Sequence, residues 1–279
     1  LNKIGTIIVN WNSLQFTLDF LELYKNSHVK GDQLVLVNNS PEDNDEVLKI
    51  KEKYIKVINT NENLGYAGAL NKGMKYLDKE DIDWILLINN DVKIDSKFIE
   101  RLRSLDDRNT IYSPVITNHD SDIVQNTGGK LVLLYGGTIN LNKGLQIRDI
   151  KRIEPDFLSG CCLFFHKEVL EKIGYLDESY GSYYEDVEWC FRAGEKGILL
   201  EVLWDLTLPH YHSMSTNNNS GYKDYLIAKN SIKFAKSDLN KFNASVFIFF
   251  SILTGFFWVL PRPKNLPYFF RGVYQGLKS

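Results

Sequence analysis

The segment Trp84–Asp95 reads WILLINNDVKID. Five apolar residues end in Asn89-Asn90-Asp91, and a Lys-Ile-Asp-Ser step then opens into a stretch with helical spacing. A short continuous apolar run bounded by turn residues is the pattern of a strand buried on both faces, as in a parallel sheet covered by helices. Asn and Asp turn a chain readily, because their short side chains bond to nearby backbone. At the carboxyl end of a parallel strand, however, ligands bind, and a carboxylate there can hold a divalent cation against a phosphate.

The surrounding sequence supports that sheet. Residues 4 to 116 alternate between short β-rich runs and amphipathic stretches, the pattern of βαβ units. It predicts strands at Ile4–Asn10, Gln33–Asn38, Ile55–Asn59, Trp84–Asn89 and Ile111–Ile116. Between them it predicts helices near Leu14–Tyr24, Glu42–Lys53, Tyr66–Leu77 and Ser96–Ser104, with Ser13 and Asp95 as N-caps. Asn38, the loop Thr60–Gly65 and Asn89–Asp91 then stand at carboxyl ends of strands. Residues 117 to 157 lose the alternation and carry two Gly-Gly pairs, which read as hairpins and loops. A strand-to-helix unit resumes at FLSGCCLFFHKEVLEKIG, followed by a short strand at Ile198–Val202, and the chain is helical from Tyr222 onward. The expected fold class is α/β, a Rossmann-like, mainly parallel sheet flanked by helices, with a helical C-terminal extension. Residues 1–221 form the first region and 222–279 the second.

At 279 residues the chain is long enough for one large domain or two, given about 150 residues per domain. Its formal charge of -2 gives no reason to expect nucleic acid as a partner. The charge is uneven: from Tyr222 onward nine Lys/Arg face two Asp, a net of +7, which leaves -9 for residues 1–221. A basic, aromatic-rich tail on an acidic body points to an anionic membrane surface. Within it Ala244–Leu260 runs 17 residues without a charge, at the lower edge of what crosses a bilayer core. Trp258, Arg262, Lys264 and Tyr268 stand around its end as interfacial anchors would. Cys161, Cys162 and Cys190 form neither a disulfide framework nor a CxxC spacing, so they read as reduced core residues of a cytosolic protein. The start, LNKIGTIIVNWN, enters a strand at once, with no basic leader to predict secretion.

Four further stretches carry polar chemistry. NENLGYAGALNKG, residues 61–73, places Gly65, Gly68 and Gly73 where a strand gives way to a helix, so that backbone can approach a nucleotide. It lacks the Lys-Ser/Thr of a P-loop and the order of a dinucleotide fingerprint, and taken alone it is a plain turn. GSYYEDVEWCFRAGEKG, residues 181–197, puts Glu185, Asp186 and Glu188 in a first helical turn. There acids favour the macrodipole and Glu188 can pair with Arg192. A helix N-terminus is expected to keep Asp186 ionised, and an ionised carboxylate facing a cleft can take a proton from an attacking hydroxyl. In LPHYHSMST, His210 and His212 share one face of a strand, so that one could join Asp91 around a cation. In YKDYLIAKNS, Lys229 could neutralise a phosphate.

In their order, IIVNWN, VNNS, NLGYAGALNKG, LLINND, SGCCLFFHKEVLEKIGYLDE, YYEDVEWCFR, HYHS and YLIAKN resemble the family 2 inverting glycosyltransferases of GT-A fold, above all bacterial rhamnosyltransferase-like members. The resemblance implies a metal-dependent hexosyltransferase that uses Mg2+ or Mn2+. Its donor would be a nucleoside diphosphate sugar, dTDP-rhamnose or a UDP-hexose. Its acceptor would be a lipid-linked saccharide of bacterial surface polysaccharide such as O-antigen or capsule. The protein would then be cytoplasmic, peripheral on the inner face of the membrane. By position the resemblance makes Asp186 the general base, Asp91 the metal ligand under the diphosphate, and His210 or His212 the late histidine at the metal. Asn10, Asn38, Asn63 and Gly65 correspond to the nucleoside pocket. Asn90, Asp91 and Lys229 lie on the diphosphate side, and Ser159-Gly160 lies between donor and acceptor. Tyr184, Glu185 and Trp189 fall on the acceptor side.

The chain departs from the family at three places. Asn38 stands where Asp is common, Asn89-Asn90-Asp91 leaves a single acid at the metal, and Lys229 replaces an Arg. One acid suffices for magnesium, which keeps waters and takes other oxygens from substrate phosphates. A sugar nucleotidyltransferase would place a Gly-rich loop bearing Arg and Lys after the first strand, where this chain has NWNSLQF. A non-catalytic nucleotide-sugar-binding protein is the reading from another class, and donor hydrolysis separates it from an enzyme.

Overall fold

The computed structural model describes residues 2–211 and 220–279. Its first half is built as the alternation predicts. The strands β1 (Ile4–Asn10), β2 (Gln33–Asn38), β3 (Ile55–Asn59) and β4 (Trp84–Ile88) alternate with helices α1 (Leu14–Lys25), α2 (Asn44–Val47) and α3 (Gly65–Leu77). Helix α4 (Ser96–Arg103) follows, its N-terminus capped where Asp95 accepts from the Phe98 N–H. Then come β5 (Thr110–Asn118), β6 (Val124–Asn126), the hairpin β7 (Gly129–Val132) and β8 (Gly137–Asn140), and β9 (Cys162–His166). Helices α5 (Glu168–Ile173) and α6 (Glu185–Glu195) lead to β10 (Leu199–His210), and helices α7 (Ser220–Asp238), α8 (Lys241–Val259) and α9 (Leu266–Lys278) close the chain.

The main sheet has the order β10-β5-β9-β4-β1-β2-β3, with β6 beside β5. β4, β1, β2 and β3 are parallel, as is the β5–β10 pair. β1 and β4 are buried along their whole length, which is why their sequences are continuous apolar runs rather than alternating ones. Ile7, Val35 and Leu87 point into one core layer, and Ile8, Leu36 and Leu86 into the other. Gly73 lets α3 lie close on β1, since a Cβ there would meet Ile7 Cγ2 at 2.6 Å.

Three departures from the expected elements bear on the site. The helix expected over Glu42–Lys53 is a single 3-10 turn at Pro41–Asp43 followed by the short α2. Asp43 and Asn44 commit their side chains to Asn10 and Asn38 instead, and only Val47 in α2 is buried, so little packing supports a longer helix. The second departure is β9, which enters antiparallel between β4 and β5. Because it runs against its neighbours, its N-terminal end meets their carboxyl ends. The Asn89 N–H donates to the Cys161 carbonyl at 2.9 Å, so Ser159-Gly160 lies beside Asn89-Asn90-Asp91. β10 also runs longer than expected, through an irregularity between Leu203 and Thr207, and carries His210 to the same edge.

Candidate active site

The carboxyl edge of the sheet opens into a cavity of about 640 Å³, lined among others by Asn89, Asn90, Asp91, Gly160, Asp186 and His210. A larger one of about 1110 Å³ lies between α6, β10 and the C-terminal helices, and neither Asp91 nor Asp186 lines it. The candidate site residues thus line the smaller cavity.

One corner is made by Asp91 and His210. The turn after β4 pairs with the end of β10: the Tyr211 N–H donates to the Asp91 carbonyl at 2.9 Å and the Lys93 N–H to the Pro209 carbonyl at 2.9 Å. This brings His210 Nε2 within 3.1 Å of Asp91 Oδ1, with both side chains about nine-tenths buried. Gln125 fixes the imidazole. Its Nε2 donates to the His210 backbone carbonyl at 2.8 Å, and its Oε1 lies 2.8 Å from His210 Nδ1. A backbone carbonyl only accepts, so the amide orientation is set and Nδ1 carries the proton. Nε2 is thereby turned toward Asp91 Oδ1, a buried carboxylate oxygen. An imidazole nitrogen and a carboxylate oxygen side by side are a donor set for a divalent cation. The pair thus fits a divalent metal. Among the described residues no group of three His, Cys, Asp or Glu surrounds one point, and a magnesium ion takes further oxygens from substrate phosphates and water. His212 lies outside the described residues.

The opposite corner belongs to Asp186. Its Oδ2 accepts from the Gly160 N–H at 2.8 Å and its Oδ1 from the Val187 N–H at 2.9 Å. The two corners are joined by Tyr66, whose hydroxyl lies 2.8 Å from Asn89 Oδ1 and 3.0 Å from the Gly160 carbonyl. Asn89 Nδ2 in turn lies 3.4 Å from His210 Nε2. The helix N-terminus does not decide the charge state of Asp186 as the sequence led us to expect. Burial raises its carboxyl above the ordinary range, against the lowering effect of the two N–H donors. Its neighbour Glu185 is pushed up further, first by burial and then by the charge of Asp186, and its Oε2 accepts no hydrogen bond. Asp186 has N–H donors that favour its charged form, whereas Glu185 Oε2 has none. Glu188 leaves the site and pairs with Arg192 at 2.6 Å.

Several residues expected at the site are placed otherwise. Trp189 packs on Phe165 with no exposure and donates its indole N–H to the Gly174 carbonyl, because the core takes the largest apolar side chain of α6. Lys229 is absent from the cavity wall; six residues along a helix turn it about 240° from Lys223, which does line the cavity. Asn10 and Asn38 are fully buried and bonded to each other at 2.8 Å. Thr17 bridges Asn10 to Asn90, which also donates to Ser13 at 2.8 Å, so Asn10 supports a cavity residue from behind. The close approach that Gly65 permits is to backbone: a Cβ would stand 2.8 Å from Gly181 Cα. Asn63 Oδ1 accepts from the Gly65 N–H at 2.8 Å and from Asn39 at 2.9 Å. Tyr184, Glu185, Ser159 and Gly160 line the cavity as expected.

Two contributors escaped the sequence reading. Gln125 lies in the stretch that had lost its periodicity. Asn230 is fully buried on α7, and its Nδ2 reaches the carbonyls of Tyr180, Ser182 and Tyr183 at 2.9, 2.9 and 2.7 Å. That loop ends with Tyr183 and Tyr184 at φ of 65° and 75°, successive left-handed residues with side chains, with only Glu185 between them and Asp186. Such conformations cost about 1–3 kcal/mol each and need neighbours to hold them.

Comparison with known proteins bears on the family and the fold. The profile of Glycosyl transferase family 2 matches residues 6–174. The chain is 30% identical over 249 residues to the low-salt glycan biosynthesis hexosyltransferase Agl10 of Haloferax volcanii, covering 85% of this chain and 78% of that one. It is 27% identical to the dTDP-rhamnosyl transferase RfbF of Shigella flexneri, over 60% of this chain and 54% of that one. To the N-acetylglucosaminyl-diphospho-decaprenol L-rhamnosyltransferase of Mycobacterium tuberculosis it is 25% identical, over 59% of this chain and 61% of that one. The fold is shared with GalNAc-T7, solved with UDP, GalNAc and Mn2+, at a TM-score of 0.65 and 15% identity, over 96% of this chain and 52% of that one. It is also shared with the Pyrobaculum calidifontis mannosyltransferase solved with GDP-Man and Mn2+, at 0.61 and 11%, over 99% of this chain and 75% of that one. The architecture is thus the GT-A one, and the chain belongs to glycosyl transferase family 2.

Proposed function

We propose that this protein transfers a hexose, with rhamnose the first candidate, from a nucleoside diphosphate to a hydroxyl of a lipid-linked glycan, with inversion at the anomeric carbon. The observation that carries the reading is that one cavity holds Asp186 and the Asp91–His210 pair, bridged by Gly160, Tyr66 and Asn89. Asp186 removes the proton of the acceptor hydroxyl as its oxygen attacks. The Gly160 N–H keeps Oδ2 aimed into the cleft. Asp91 and His210 hold the diphosphate end, with Gln125 keeping the His210 lone pair turned toward Asp91. Asp91 and His210 would hold a divalent cation, Mg2+ or Mn2+, which when bound would supply positive charge to the diphosphate end.

The donor assignment rests on the names of relatives, which include dTDP-rhamnose and diphospho-decaprenol chemistry. The membrane assignment rests on the C-terminal helices. Among the described residues α8 is long and apolar enough to cross a membrane, and only 22% of its apolar window is buried. Phe242, Phe249, Leu253 and Phe257 form one exposed stripe along it, within a region of net charge +7. We read the stripe as lying on an anionic cytoplasmic membrane face, which peripheral binding of this kind needs. A panel of nucleotide sugars, with and without chelator and with a lipid-linked acceptor, tests the function. Metal-dependent transfer from dTDP-rhamnose or a UDP-hexose is expected. Donor binding without transfer or hydrolysis would leave only a sensor, and tight metal binding without nucleotide would contradict a site completed by substrate.

A further inference from the structure

Two lysines that the reaction leaves unused line the same cavity. Lys143 stands in the loop after β8, and Lys223 in the first turn of α7. The Lys223 Nζ lies 5.5 Å from the centre of the Tyr183 ring, three residues before Asp186. Neither lysine has an ion-pair partner among the described residues, whereas Asp224, next to Lys223, is taken by Arg262 at 3.1 Å and Asn265 at 2.8 Å. The Lys223 ammonium is held below the ordinary lysine range, first by burial and then by repulsion from Lys143, with Arg262 adding to it and Asp224 opposing. Lys223 is half-buried and Lys143 exposed, and two ammonium groups that repel one another with no ion-pair partner among the described residues favour an anion between them.

Lys223 stands against Tyr183, on the loop that leads to Asp186, whereas Asp91 and His210 come from the turn after β4 and the end of β10. Behind Lys223, Arg262 lies 5.6 Å from the Trp258 ring, and Phe257, Trp258 and Leu260 are exposed. An exposed apolar edge, a cationic step and a cavity with a general base therefore follow one another. A lipid diphosphate saccharide presents its groups in the same order: apolar chain, diphosphate, sugar hydroxyl. We infer that Lys143 and Lys223 form a phosphate subsite on the acceptor side of the cleft, which takes the diphosphate joining lipid to sugar. The inference rests on the lipid-linked acceptor of the preceding subsection and names how that acceptor is recognised.

The test uses the full chain and the double variant Lys143→Gln/Lys223→Gln. Farnesyl diphosphate serves as a sugar-free probe, with the donor site filled by nucleoside diphosphate and Mn2+. It should bind the wild type and lose about tenfold in affinity in the variant, as expected for two charge-assisted phosphate contacts. Nucleoside diphosphate affinity should be unmoved. Absent probe binding, equal binding in the variant, or a loss that falls on the nucleoside diphosphate overturns the subsite. Turnover is compared on two acceptors with the same sugar and lipid, one joined by diphosphate and one by an uncharged ether. If the wild type uses both equally, the lipid-diphosphate acceptor falls and the subsite with it. If the wild type prefers the diphosphate and the variant keeps that preference, only the subsite falls. Lys223→Arg in place of Lys223→Gln should restore the preference if charge is what matters.

Discussion

Gly160 and Asp186 are fitted to one another: the Gly160 N–H donates to Asp186 Oδ2 at 2.8 Å, and a Cβ on Gly160 would stand 3.4 Å from that oxygen and 3.3 Å from Asp186 Cβ. Alanine at 160 would press on the base without unfolding the chain. Since displacements of about 1 Å can cost a hundred-fold in rate, a shift of a few tenths should lower kcat by about tenfold. A melting temperature close to wild type, measured alongside, distinguishes this from general damage. Full activity would mean that the Gly160 contact is not part of the base's alignment.

Gln125 should act on metal affinity rather than on the base. In Gln125→Leu both contacts to His210 are lost, and the imidazole is released to turn or change tautomer. Support of this kind is worth about 10- to 100-fold in affinity, readable as weaker Mn2+ binding by electron paramagnetic resonance with nucleoside diphosphate present. Unchanged Mn2+ affinity would remove Gln125 from the site.

The paired acids give a pH signature. Glu185 and Asp186 both titrate above the ordinary carboxylate range, chiefly through burial. The base must be ionised, so activity falls as pH drops through a raised apparent value, and the acidic limb of kcat/KM should lie above that of a solvent-exposed aspartate. Glu185→Gln imitates the protonated carboxyl and should keep activity within about threefold at neutral pH. A folded-state carboxyl raised above its unfolded value contributes stability below the unfolded value and loses it as pH rises through the folded one. The Tm of Glu185→Gln should accordingly fall less than that of wild type toward alkaline pH. A large activity loss in Glu185→Gln would show that Glu185 works as an anion.

Asn230 ties the C-terminal region to the loop before Asp186. Its Nδ2 reaches three carbonyls of the loop that delivers Asp186. Asn230→Asp cannot donate, and about 1–3 kcal/mol of stability should be lost with those buried carbonyls unsatisfied. Kinetically kcat should drop while the donor KM stays near wild type, because the loop carries the base and not the metal pair. A change confined to donor KM would argue against this role.

How much of this was legible in the sequence depends on whether the forces were local. β1 to β4 were readable because strands buried on both faces need continuous apolar runs, and their ends placed Asp91 correctly. β9 gave its strand-to-helix pattern but not its direction, and its antiparallel insertion is what sets Gly160 beside Asn89. The segment after Pro41 looked helical in composition, yet its Asp and Asn side chains bond to Asn10 and Asn38 across the sheet edge. Residue type alone could not separate Lys229 from Lys223, or Trp189 from a cavity aromatic, because the face of a helix is decided by its packing partners. Gln125 and Asn230 are ordinary amides until His210 and the carbonyls of residues 180–183 are brought to them. The resemblance pointed to Asp186, but not to the burial that raises its carboxyl.

The most direct measurement compares Asp186→Asn with wild type for transfer and for donor binding. Loss of the base, with the N–H donors of Gly160 and Val187 still facing an amide oxygen, should cut kcat by about a hundred-fold or more. The donor dissociation constant in the presence of Mn2+ should be nearly unchanged, because Asp91 and His210 are untouched. Undiminished turnover in Asp186→Asn would contradict the account at its centre.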